Sequence, residues 1–166
     1  MTMYQDVVRD FVRRTRRNLE LVREQSAAEE RAGTRDGQRS AFEVTQLVNS
    51  LLGLLVFPQQ RYFDAIPHTP LADLARDGWP TVRAIDGFPN VDHLDDLMRY
   101  LRNAVAHFNI EFTEQGGQNS GVRVWNKPPG QPINWKSELA IRDLQTITER
   151  FSELRDKRLS PANGGG

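Results

Sequence analysis

The sequence predicts a mainly α-helical fold, an up-and-down bundle of four helices with a small β-hairpin inserted before the last. Three observations predict it. Several long segments repeat apolar residues at three- and four-residue spacing, the period of an amphipathic helix. One of them contains "LVNSLLGLLVF", apolar nearly all round, as the buried central helix of a bundle must be. Only one region, "NIEFTE" followed by "GVRVW", alternates apolar and polar residues as strands do. The chain has 166 residues, 38% of them hydrophobic, which suits one domain around a single core.

The elements follow in order. Over about residues 3–30, Val8, Phe11, Val12, Leu19 and Val22 share one face and Arg13, Arg17, Glu20 and Glu24 the other. "RAGTRDGQRS" then breaks the helix with two glycines. Ser40 is placed to cap a second helix over "AFEVTQLVNSLLGLLVF", and Pro58 to end or kink it. Residues 58–90, rich in Pro, Gly and Asp, read as a long connection with one short helix near "PLADLARDG". "NVDHLDDLMRYLRNAVAHF" is the third long helix. Asn90 or Asp92 is expected to cap it, and Asp92, Asp95 and Asp96 suit the positive end of its dipole better than a metal site. The two alternating segments form a hairpin with "QGGQNS" as a loose tip, and "NKPPGQP" is a rigid loop. A final helix is expected from near Ser137 to about Lys157, with Ala140, Leu144, Ile147, Phe151 and Leu154 as its stripe and Arg155, Lys157 and Arg158 at its negative end. The domain therefore spans 1–159, and "SPANGGG", 160–166, reads as a flexible tail.

Composition excludes several chemistries. There is no cysteine, so disulfides, thiolate nucleophiles and cysteine-ligated zinc are out, and three histidines argue against a histidine-rich metal centre. No cofactor is expected. The N-terminus has no apolar signal-peptide core, and the longest apolar run is too short to span a bilayer, so a cytoplasmic protein without a membrane partner is expected. The formal net charge is zero, from 22 basic and 22 acidic residues. Any nucleic-acid binding must then come from a local patch.

Such a patch lies on the third helix. At roughly 100° per residue, Leu94, Leu97, Met98, Leu101, Val105 and Phe108 form one apolar stripe that faces the core. Arg102 falls on one edge of the polar face and His107 on the other, roughly 140° around and ~7.5 Å along the axis. Arg99, Asn103 and Ala106 lie between them, and Asn103 and His107, at i and i+4, are within touching distance. A dip at Ala106 flanked by a fixed cation and an imidazole suits a phosphate. Arginine holds phosphate oxygens and stabilises charge building on them. Histidine accepts or donates a proton near neutral pH. RNA is the apt substrate, because its own 2′-OH can attack the adjacent phosphate. By spacing alone, an ordinary polar helix face explains the same residues.

The segment "R-N-A-V-A-H" resembles the signature of the HEPN superfamily, in which Arg and a following polar residue precede a His late in a long helix. The layout is similar as well, with a buried second helix ending in "LLVFP" before the motif helix and a further helix after it. The resemblance implies a HEPN-like helical domain and a metal-independent endoribonuclease. Arg102 and His107 would be its catalytic pair, with Asn103 assisting. It implies a homodimer in which two motif helices meet, 2′,3′-cyclic phosphate and 5′-hydroxyl products, and a setting in toxin–antitoxin, abortive infection or phage defence with an antitoxin or defence partner protein. The other reading within the superfamily is a non-catalytic nucleotide- or RNA-binding or dimerisation module.

Other motifs carry less. Arg9, Arg13, Arg14, Arg16 and Arg17 suggest an RNA backbone contact, but Asp6, Asp10, Glu20 and Glu24 balance them into a solvated face. Trp125 and Trp135 suit packing of the hairpin on the bundle better than base stacking. Arg61 and His68 repeat the Arg-then-His order across Pro67 and carry no site. "QGGQNSG" lacks the lysine of a phosphate-binding loop and is a turn.

Overall fold

In the computed structural model the first, third and last periodic segments form helices, most of the second lies outside the described residues, and the region of period-two alternation is longer than expected. The structure describes residues 3–33, 45–50, 53, 66–116 and 118–159. Its elements are α1 (Met3–Ala32), a helical stretch over 45–50, α2 (Leu71–Arg76), α3 (Leu94–Ala106), β1 (Ile110–Gln115), β2 (Gln118–Asn126), β3 (Trp135–Ala140) and α4 (Ile141–Leu159). The expected cap at Ser40, the stop at Pro58, Arg61 and the tail 160–166 lie outside the described residues, as do the side chains of Val8, Arg9, Arg155, Lys157 and Arg158.

The fold is not a four-helix bundle carrying a small hairpin. It combines helices with a three-stranded antiparallel sheet of order β1-β2-β3. The third strand takes the place of the expected first turn of the last helix. In "WKSELA", Trp135, Ser137 and Leu139 are buried and alternate with the more exposed Lys136, Glu138 and Ala140. Propensity favours a helix for Ser-Glu-Leu-Ala, but pairing with β2 overrides it. Trp135, Ser137 and Leu139 stand opposite Asn126, Val124 and Val122 and complete one buried face. Ala140 therefore belongs to the sheet, and α4 begins at Ile141 with Leu144, Ile147 and Phe151 in the core. The hairpin tip is also tighter than expected, since Gln115 and Gln118 are already paired.

The sheet sets its close contacts by register. Opposite Thr113 and next to Ala140 lies Gly121, where an added Cβ would sit 2.2 Å from the Leu139 carbonyl oxygen. Only glycine fits there. On the outer face Glu111, Arg123 and Glu138 stand side by side on the three strands. Arg123 donates to Glu138 at 3.0 Å and to Glu111 at 3.1 Å, and these carboxylates, Glu138 first, raise its pKa.

The buried face of the sheet meets α3 and α4, while α1 packs along α4. One core joins Val12 and Leu19 of α1, Leu47 and Val48, the α3 stripe, Val122, Val124, Trp135 and Leu139 of the sheet, and the α4 stripe. Arg23 of α1 also pairs with Glu149 of α4. The outward arginines of α1 are engaged by neighbouring carboxylates: Arg13 and Arg14 by Asp10, and Arg17 by Glu20. For these three arginines that is the solvated face expected. Among the described residues, no helix is long and apolar enough to cross a membrane.

The connection before α3 is ordered by partners distant in sequence. The short helix expected near "PLADLARDG" is α2. After it, Ala84 bridges Ser137 of β3, Ile85 N–H donates to the Lys136 carbonyl at 2.9 Å, and Ser137 Oγ donates to the Arg83 carbonyl at 2.8 Å. A turn follows at once. Asp86 and Gly87 both have positive φ, 55° and 77°, and Phe88 N–H reaches back to the Ile85 carbonyl at 3.1 Å. Asp-Gly is the pair that such a turn favours. Lys136 Nζ lies 2.6 Å from Asp86 and holds its carboxyl below the ordinary carboxylate range.

Candidate active site

The third helix forms where its leucine stripe requires. Leu94, Leu97, Met98, Leu101, Ala104 and Val105 are buried, and Asp95 and Asp96 occupy the first turn. Neither Asn90 nor Asp92 caps it. Residue His93 occupies the cap position without a side-chain bond, and Asn90 Oδ1 instead accepts from Ala84 N–H at 2.9 Å. The tie at this end is made by Thr69, whose carbonyl accepts from Leu94 N–H at 2.9 Å. His68 bonds Asp95 at 3.0 Å and stacks on His93 with ring centroids 3.8 Å apart. Asp96 pairs with Arg99 at 3.1 Å. Asp95 lies twelve residues before His107, about 18 Å along a helix, so this cluster is separate from the predicted site.

At the other end, α3 stops at Ala106. His107 is its C-cap, with φ −102° and ψ 7°, and its N–H still bonds the Asn103 carbonyl at 3.1 Å. The helix closes with a Schellman motif. Phe108 N–H donates to the Val105 carbonyl at 3.3 Å, and Asn109 N–H to the Ala104 carbonyl at 2.8 Å. Phe108 takes the left-handed position, φ 54°. The chain then enters β1, and the Asn109 carbonyl accepts from Trp125 N–H at 3.2 Å.

This ending corrects the helical wheel. Phe108 was expected on the buried stripe, three residues after Val105. It lies beyond the last helical residue and is 73% exposed. Three residues of continued helix would have turned it inward; one left-handed residue turns it out.

The predicted site residues lie on the last turn of α3, on the side away from the leucine stripe. Arg102 and Asn103 are partly buried, and Ala106 and His107 are exposed. Arg102 lies within the last turn of α3 and His107 at its C-cap, five residues apart. Asn103 points elsewhere than expected. Its Nδ2 donates to Asn126 Oδ1 at 3.0 Å, rather than to His107. Asn126 is only 2% exposed and in turn donates to Asn134 Oδ1 at 2.7 Å. The Asn126 carbonyl also accepts from Asn134 N–H at 3.1 Å, which closes the loop between β2 and β3. A chain of three amides thereby fastens the helix end to the sheet. Asn126 and Asn134 were not singled out in the sequence. The only signal for them is that each closes one end of "NKPPGQPIN".

This amide chain predicts the effect of Asn103→Ala. The Asn126 oxygen would lose its donor in a buried place, which costs about 1–3 kcal/mol. For a domain of this size the midpoint temperature should fall by roughly 2–12 °C. A thermal scan matching the wild type would show that the bond contributes nothing.

The family comparison decides what this helix belongs to. The family described as HEPN pEK499 p136 matches residues 1–161. The chain belongs to this HEPN family. No curated protein and no solved structure shows a significant match to it. The helix–sheet architecture is therefore that of this HEPN domain as the structure describes it, with the Arg-Asn-Ala-Val-Ala-His segment closing α3 and the sheet fastened behind it.

Proposed function

We propose that this HEPN domain is an endoribonuclease that cleaves RNA through its own 2′-OH and needs no metal ion. What supports the reading is the Arg102-Asn103-Ala-Val-Ala-His107 segment at the end of α3, with His107 exposed, in a chain of the HEPN family. Arg102 holds the non-bridging oxygens of the phosphate and stabilises the charge that builds on them as the 2′-oxygen attacks. His107 in its neutral form takes the 2′-OH proton; in its protonated form it supplies a proton to the departing 5′-oxygen. The new 2′-O–P bond replaces the P–O5′ bond, leaving a 2′,3′-cyclic phosphate and a 5′-hydroxyl. Asn103 assists by fixing the helix end through Asn126.

A two-fold dimer through α3 supplies the second imidazole that concerted proton transfer requires. The setting is cytoplasmic: toxin–antitoxin, abortive infection or phage defence, with an antitoxin or defence partner restraining the activity. The second reading is a non-catalytic HEPN-like nucleotide- or RNA-binding or dimerisation module. The commitment of the Asn103 side chain to Asn126 favours it, because only two groups of the motif then face a ligand.

The two readings separate in one assay. Wild type and His107→Ala are incubated with RNA in excess EDTA, and the products are probed for cyclic phosphate. Cleavage by wild type only is the expected result. Binding without cleavage by either protein would favour the second reading.

A further inference from the structure

We propose that Phe108 is the base-stacking residue of this site, and that the substrate is single-stranded RNA whose unpaired base lies on its ring. The inference rests on the ribonuclease reading above and assigns a residue that the motif itself does not include.

Stability does not explain this phenylalanine. The left-handed position that ends a Schellman motif is occupied by preference by glycine, because a Cβ crowds the backbone there. Phe108 holds that position at φ 54°, fixed by the two bonds that close the helix. The strain brings no burial in return. At 73% exposure, Phe108 is the most exposed large apolar side chain among the described residues. Both its backbone and its ring would be served better by another residue. Strained residues of this kind concentrate at functional sites.

Its place in the chain says which function. Phe108 follows His107 directly and begins the turn that leads α3 into the sheet. Phe108 is the residue next to His107, so a nucleotide whose phosphate is bound at His107 has its base near that ring. An aromatic face accepts any base, provided the base is not already stacked in a duplex.

The test sets stability against substrate affinity. Phe108→Gly removes the Cβ and should raise the melting temperature by about 2–4 °C. Loss of stacking should raise KM for a single-stranded oligoribonucleotide about 5- to 100-fold with kcat preserved, because stacking holds substrate and transition state alike. Phe108→Trp should restore KM. A duplex of the same sequence should be cleaved poorly by all three proteins. An unchanged KM in Phe108→Gly overturns the stacking role and leaves the ribonuclease reading standing. So does a shift of Phe108→Gly from dimer to monomer in sedimentation, which would make the ring a subunit contact. If wild type does not cleave at all, the ribonuclease reading falls. The Phe108 contact is then judged on binding of the labelled oligoribonucleotide, where equal affinity of wild type and Phe108→Gly overturns it.

Discussion

His107→Ala is expected to slow RNA cleavage by about 10²–10⁴-fold, the range for loss of a positioned general acid or base, without loss of the fold. The imidazole is exposed at the C-cap of α3, and the bonds that close the helix there are all made by backbone atoms. The melting temperature should therefore stay within about 2 °C of wild type, as for other surface substitutions. Arg102→Ala should give a loss of similar size, and Arg102→Lys should recover part of it, since lysine keeps the charge but not the two-pronged fork. Single-turnover cleavage of a labelled oligoribonucleotide measures both. Retained activity in His107→Ala would remove the imidazole from the chemistry.

The largest effect on stability is expected at a residue that does no chemistry. Trp135→Ala should destabilise the domain by about 3–5 kcal/mol, lowering the melting temperature by roughly 6–20 °C. Trp135 is 1% exposed on the buried face of the sheet, with its ring 5.4 Å from that of Tyr100 on α3. It ties the third strand to the helix that carries Arg102 and His107. Activity in Trp135→Ala should fail on heating well before that of the wild type. Thermal scans followed by circular dichroism give the stability change, and a drop of less than about 1 kcal/mol would contradict the packing role.

The first and third helices were legible because their information is local. The leucine stripe of α3 fixes which side of that helix faces the core. The parts that were not legible depend on partners far along the chain. Trp135, Ser137 and Leu139 alternate over too few residues to outweigh the helix-favouring Ser-Glu-Leu-Ala until β2 is beside them. Asn103 reaches Asn126 across 23 residues, a contact that no helical spacing announces. Nothing local to His68 announces its partner: the structure pairs it with Asp95, 27 residues away, at the opposite end of α3 from His107. The Phe108 reversal has a different cause. The wheel assumes that the helix continues, and a single left-handed residue ended it.

The central claim is that the RNA's own 2′-OH is the nucleophile at the Arg102–His107 face. It is tested most directly with two oligoribonucleotides of one sequence, the second carrying a 2′-deoxy sugar at each position where the first is cut. In EDTA, the wild-type protein should cut the first to 2′,3′-cyclic phosphate and 5′-hydroxyl ends and leave the second intact at those positions. Cleavage of the deoxy-substituted positions, or 5′-phosphate ends from the first, would contradict it.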